Sequence, residues 1–189
     1  MKRNSLAQLF AKSFHKNWDN IVFSDYEGKD VKYGEVAQTI LSLQLFYQLS
    51  GLQRGDKLAV LGRNSANWGT IFLSAISSGL VIVPVLPDFN KTDINHIIRH
   101  SESKILIGTK SLIELVDFDL QADLKTILII EDFSLAKSKD EGAQFKLNDA
   151  FGYHKENKPG KENFEFFEWQ PEDACVISYT SGTSGFTKG

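Results

Sequence analysis

Residues Lys57–Val85 read KLAVLGRNSANWGTIFLSAISSGLVIVPV. The first run, Lys57 to Gly62, and the last, Leu80 to Val85, carry apolar side chains at successive positions, which is how a strand buried on both faces reads. Between them Asn64-Ser65 offers a cap for a helix from about Ala66 to Ser78, and Gly79 ends it. The stretch spells strand, helix, strand, the unit of a parallel sheet joined by a right-handed crossover.

Outward from this unit the same grammar repeats. Downstream, Ile94, Ile97 and Ile98 give a helical pattern that begins near Thr92, and Lys104 to Gly108 forms the next strand. Ser111 to Val116 suits a brief helix, and Thr126 to Glu131 (TILIIE) supplies another wholly apolar strand. Upstream, Val36, Ile40, Leu43 and Tyr47 recur at helical spacing between Gly34 and Ser50, with Gly51 as a left-handed stop. Ile21 to Asp25 and Val31 to Tyr33, joined by Glu27-Gly28-Lys29-Asp30, suggest a hairpin, and the first eighteen residues read as a short amphipathic helix. The fold class is therefore α/β, a layered and mostly parallel sheet flanked by helices, with a small N-terminal β-hairpin. The charged, polar stretch at 136–163 is expected to be an exposed loop. Ala174 to Thr180 (ACVISYT) is expected to be a last buried strand.

Composition narrows the function. The chain has 189 residues, 42% of them apolar, and only 4 prolines, enough for one globular core. A net charge of −3, from 24 acidic and 21 basic residues, argues against nucleic acid as a partner. The single cysteine, Cys175, leaves no internal disulfide and suits a reducing compartment, the cytoplasm. No apolar run approaches the ~20 residues of a transmembrane helix, which leaves only peripheral membrane association open.

The chemistry concentrates in YTSGTSGFTKG, Tyr179 to Gly189, directly behind the last apolar run. Its glycines allow positive φ and close backbone approach, so that successive N–H groups can converge on an anion. Its serine and threonine hydroxyls add donors, and Lys188 adds a point charge suited to phosphate. A Walker A loop, G-x-x-x-x-G-K-[ST], fails in two places, since Thr187 stands where the second glycine belongs and Gly189 where the hydroxyl belongs. A dinucleotide fingerprint, G-x-G-x-x-G, does not fit the spacing either.

The loop closely resembles the signature of the acyl-adenylate-forming, or AMP-binding, superfamily: an aromatic residue, T-S-G-[ST]-T-G, any residue, P-K-G. Ser184 replaces a threonine and keeps its hydroxyl; Thr187 replaces the proline and loses a conformational restraint. Upstream, Tyr33-Gly34-Glu35-Val36, the stretch from Gly51 through Gly55-Asp56 to Val60, the Asn64 and Trp68 pair, and Ala75 to Pro87 resemble further family segments in the family's order. The likeness is greatest to bacterial long-chain fatty acid–CoA ligases.

The resemblance implies an N-terminal α/β subdomain spanning 1–189, with the phosphate-binding loop at 179–189. It implies an enzyme that joins a carboxylic acid, a fatty acid first among candidates, to ATP as acyl-adenylate with release of pyrophosphate, then passes the acyl group to coenzyme A. Mg2+ would accompany the nucleotide. The ATP phosphates would be held by Thr180, Ser181, Gly182, Thr183, Ser184, Gly185, Thr187 and Lys188. The family's adenine pocket, magnesium-binding glutamate, ribose-binding aspartate and C-terminal lysine fall beyond this loop. The chain alone is thus expected to have no complete catalytic set, no tight hold on these cofactors and no activity. Aryl or amino acids as substrates, or a noncatalytic α/β binding domain, stand as alternatives.

Other conspicuous residues are read as scaffold. His96 and His100 have i, i+4 spacing but no third ligand in view, and are expected on a solvated helix face rather than at a metal. Gly55-Asp56 and Gly79 serve turns, Cys175 is core, and the sequon Asn90-Lys91-Thr92 goes unused without a secretory signal.

Overall fold

A computed structural model describes residues 5–180. Helix α1 (Leu6–Lys16) opens it, held by a reciprocal cap in which Gln8 N donates to Ser5 Oγ and Ser5 N donates to Gln8 Oε1. Strands β1 (Ile21–Ser24) and β2 (Asp30–Lys32) form the expected antiparallel hairpin. Helix α2 (Tyr33–Leu49) follows and stops at Gly51, whose φ of 77° only glycine adopts freely.

The core sheet has five strands. Their chain order is β3 (Lys57–Leu61), β4 (Val81–Val85), β5 (Ser103–Gly108), β6 (Thr126–Ile129) and β7 (Leu135–Ser138), and their spatial order is β4-β3-β5-β6-β7. All neighbours are parallel except β6 and β7. Helix α3 (Ala66–Ser77) joins β3 to β4, and α4 (Lys91–His100) carries the chain back across β3 to β5. The short α5 (Lys110–Ile113) follows β5.

Period-two alternation splits each strand between two cores. Leu58, Val60, Ile82, Ile105, Ile107 and Leu128 join the apolar cluster that includes α2 and α3 residues such as Ile40, Leu43, Phe46 and Ile71. Ala59, Leu61, Val83, Val85, Leu106 and Ile127 join Ile94, Ile97 and Ile98 of α4 and Ile113 of α5. The two-sided burial inferred from continuous apolar runs is what the sheet shows.

Two expectations need correction. The stretch at 136–163 is not an exposed loop: it contains most of β7 and the fifteen-residue helix α6 (Ala143–Asn157). Ala143, Leu147 and Ala150, at i, i+4 and i+7, form a buried stripe along α6, and Leu147 and Ala150 join the same apolar cluster as the α2 residues. Two of these three contacts come from alanines, and Phe145 and Tyr153 lie exposed, so the charged surface of α6 hides its apolar stripe. The expected last strand is also reduced. Val176 makes an isolated parallel bridge to Ile82, beside β4, and Cys175, Val176 and Ile177 are half-buried while Ser178 is exposed. Among the described residues it bridges to β4 alone, and its side chains are less enclosed than those of the central strands.

Residues 164–169 bind this tail to the body. Phe164 and Phe166 pack against Phe14 with centroids 4.6 and 5.8 Å away, and Trp169 Nε1 donates to Ile76 O at 2.8 Å. Arg54 pairs with Asp173 and lies over the Phe167 ring.

Candidate functional site

The segment entering the Ser/Thr/Gly loop is fastened to the sheet by two main-chain bonds: Ile82 N donates to Cys175 O and Ile177 N donates to Ile82 O, both at 3.0 Å. Two residues on, Tyr179 is 5% exposed and belongs to the apolar cluster of Val85, Ile94, Ile97 and Ile98. Its hydroxyl lies 2.7 Å from Nδ1 of His100, in the last turn of α4, and the two rings meet edge to face at 5.7 Å. Burial raises the Tyr179 pKa above the ordinary phenol value. Thr180 follows and is exposed. Of the predicted phosphate-binding residues, Ser181, Gly182, Thr183, Ser184, Gly185, Thr187 and Lys188 lie outside the described residues.

The upstream family-like segments meet one another and do structural work. Gly55 N donates to Gly79 O at 2.9 Å, and Asp56 accepts from Gln53 N at 2.9 Å and pairs with Lys104 at 2.8 Å. Gly79 has a φ of 74°, and an added Cβ would stand 3.1 Å from the Phe167 ring. Ser65 caps α3 by accepting from Trp68 N at 3.1 Å, and Trp68 stacks on Phe72 at 5.6 Å. These contacts give the segments a scaffold role.

A crevice of about 750 Å3, which no sequence motif marks, opens where β3, β4, β5 and β6 end. Chain travel reverses between β3→β4 and β4→β5, so the carboxyl ends of β3 and β5 form a switch point of the kind where open α/β sheets bind ligands. The strand order itself was the missing signal. At the start of α3, however, Ala66 N donates to Asp25 Oδ1 at 2.8 Å, so a carboxylate of this chain already takes that donor. Glu131 likewise accepts from Lys110 N. Among the described residues, no group of three His, Cys, Asp or Glu side chains is disposed to hold a metal.

His100 differs in part from its expected surroundings. It is on the exposed side of α4, as anticipated, but one ring nitrogen is engaged by Tyr179, and the His96 ring lies 5.6 Å from it. That contact spans 79 residues of sequence, and no local pattern announces it.

The fold and the tethered loop entry correspond to a known family: residues 10–189 match the model of the AMP-binding enzymes. The chain belongs to the AMP-binding enzyme family. It is 30% identical over 142 residues to the human mitochondrial acyl-coenzyme A synthetase ACSM2B, covering 73% of this chain and 22% of that protein. It is 28% identical over 157 residues to a long-chain-fatty-acid–CoA ligase of Thermus thermophilus, covering 83% of this chain and 27% of the relative. Among solved structures, a long-chain-fatty-acid-CoA ligase (FadD1) from Archaeoglobus fulgidus superposes with a TM-score of 0.69 at 17% identity, over 95% of this chain and 35% of that one. The chain thus spans about a fifth to a third of the length of these AMP-binding relatives. Among the described residues no helix is long and apolar enough to cross a membrane.

Proposed function

We propose that this chain is the N-terminal α/β part of an ATP-dependent acid–thiol ligase, and that Tyr179 to Gly189 grips the nucleotide phosphates. The observation that carries the reading is the family match running through residue 189, so that it includes the whole signature-like loop. The entry to that loop is consistent with the role: a buried, tethered Tyr179 delivers an exposed Thr180, whose hydroxyl suits a phosphate oxygen.

In this account Thr180, Ser181, Thr183, Ser184 and Thr187 supply hydroxyl donors, and Gly182 and Gly185 let main-chain N–H groups approach the phosphates. Lys188 offsets charge gathering on the departing pyrophosphate. Their contribution is electrostatic and positional. The substrate carboxylate attacks the α-phosphorus of ATP, the bond to the bridging oxygen of pyrophosphate breaks, and the acyl-adenylate then yields AMP and a thioester with coenzyme A. Mg2+ neutralises phosphate charge when bound, and the described residues are assigned no part in holding it. The groups that complete the nucleotide site and the acid pocket are proposed to lie outside this chain, which by itself is inactive and holds nucleotide weakly.

A fatty acid is the proposed substrate, supported by the naming of relatives such as the Thermus ligase. A cytoplasmic site of action fits the single free cysteine. The test is to incubate the intact ligase with ATP, coenzyme A and carboxylic acids of increasing chain length or with aryl acids, scoring AMP and thioester. Turnover of aliphatic acids with equal release of AMP and thioester is expected. Turnover confined to aryl or amino acids would reassign the substrate, and no acid-dependent AMP with any of them would favour a noncatalytic binding module.

A further inference from the structure

We propose that His100 is a positioning residue for the phosphate loop: through Nδ1 it holds the Tyr179 hydroxyl, and so fixes the direction in which the main chain passes from Tyr179 into Thr180. This rests on the phosphate-gripping role proposed above for residues 179–189.

The geometry supplies an anchor with two restraints. The hydrogen bond at 2.7 Å fixes where the Tyr179 hydroxyl sits, and the perpendicular ring contact at 5.7 Å, with an interplanar angle of 90°, fixes the plane of its ring. Together with the bond from Ile177 N to Ile82 O, this gives the chain two attachments within three residues just before the loop begins. Main-chain direction at Thr180 is then set from both sides of Ser178.

The platform beneath the anchor is firm. Helix α4 begins at a cap in which Asp93 N donates to Asn90 Oδ1 at 3.0 Å, and Ile94, Ile97 and Ile98 are each at most 1% exposed. In its last turn Ser101 N donates to Ile97 O at 2.9 Å. Asn95, on the same helix, donates from Nδ2 to Leu115 O and accepts from Asp117 N, tying α4 to the loop after α5. His100 is therefore carried by an element with little freedom to shift, and the tilted His96 ring beside it narrows its own choices.

A phenylalanine would fill the apolar space of Tyr179 equally well, so the hydroxyl adds direction rather than burial. That separates the proposal from a merely structural role. Loss of the anchor should weaken the hold on nucleotide phosphate, leaving the fold and the acid site alone.

The experiment measures steady-state kinetics of the intact ligase bearing Tyr179→Phe, His100→Ala, His100→Asn or His100→Gln, with thermal denaturation of each. Tyr179→Phe and His100→Ala are expected to raise KM for ATP roughly three- to tenfold, the scale of one hydrogen bond, without moving KM for the acid. His100→Asn keeps an amide nitrogen near the Nδ1 position and should restore KM for ATP to within about twofold. His100→Gln reaches toward the Nε2 position and should not. The double variant Tyr179→Phe with His100→Ala should be no worse than the worse single one, as for partners in one contact. An unchanged KM for ATP in Tyr179→Phe and His100→Ala, in an enzyme that Lys188→Ala disables, overturns the role of His100 while sparing the phosphate loop. An equal rise in KM for ATP, acid and coenzyme A, or rescue by glutamine rather than asparagine, also overturns it. Full activity of Lys188→Ala removes the premise, and the proposal falls with it.

Discussion

Phe14→Ala should be the most damaging single truncation in the N-terminal helix. Phe14 is 1% exposed, and its ring meets Tyr33 edge-on at 5.0 Å, Phe164 at 4.6 Å and Phe166 at 5.8 Å. Removing a fully buried phenylalanine typically costs about 3–5 kcal/mol, combining lost transfer free energy with the cavity left behind. Here an apolar cavity of about 290 Å3, lined by Phe10, Phe14, Val22, Tyr33 and Trp68, already adjoins the site. Solvent and neighbouring side chains can therefore relax into the gap, which places the expected loss near the lower end, about 3 kcal/mol. At roughly 2–4 °C per kcal/mol for a chain of this size, the melting temperature should fall by about 6–12 °C. Urea denaturation followed by circular dichroism gives the free energy, and the m-value should not change. Pairing the substitution with Phe164→Ala should reveal coupling on the order of 1 kcal/mol. A loss below about 1 kcal/mol, or strictly additive effects, would refute the packing of α1 against the returning segment at 164–166.

Two glycines should respond in opposite directions. Gly79→Ala forces a side chain onto a φ of 74° with its Cβ 3.1 Å from Phe167 and should cost more than about 1 kcal/mol, whereas Gly152→Ala, in open space on α6, should stabilise by about 0.5–1 kcal/mol; equal effects in thermal melts would contradict both backbone assignments. The hydrogen bond from Lys146 Nζ, and then that from Gly142 N, hold the Asp140 carboxyl below its ordinary pKa. A depressed carboxylate contributes stability above its unfolded-state pKa and loses it as pH falls through the folded-state value. Asp140→Asn should therefore cost on the order of 0.5 kcal/mol at pH 7 and almost nothing at strongly acid pH, and a pH-independent difference in urea midpoints would exclude the linkage.

The parts legible in sequence were those where one physical signal dominates. Strands β3 to β6 have apolar side chains on both faces, so unbroken runs such as LVIVPV mark them whatever their neighbours do. Helix α6 escaped because alanines make most of its buried stripe while Phe145 and Tyr153 face water, so neither composition nor periodicity favoured a docked helix. Strand β7 escaped with it: LAKS is short, half-buried and antiparallel to β6 at the sheet edge. In the candidate site, the glycines, hydroxyls and lysine of 179–189 stand close together in sequence, so the phosphate role proposed for them can be read from a local window. The crevice at the strand ends depends on strand order, and the contact between His100 and Tyr179 joins positions 79 residues apart. Neither property exists at the level of a local window.

The central claim is that residues 179–189 hold the phosphates of ATP during adenylation. Its most direct test is acid-dependent pyrophosphate–ATP exchange by the intact ligase, comparing the unaltered protein with Lys188→Ala. Loss of one charge-stabilising donor in such a site lowers the rate by roughly 100- to 1000-fold, which is the predicted result with the fold unchanged by circular dichroism. An exchange rate equal to that of the unaltered protein would contradict the claim.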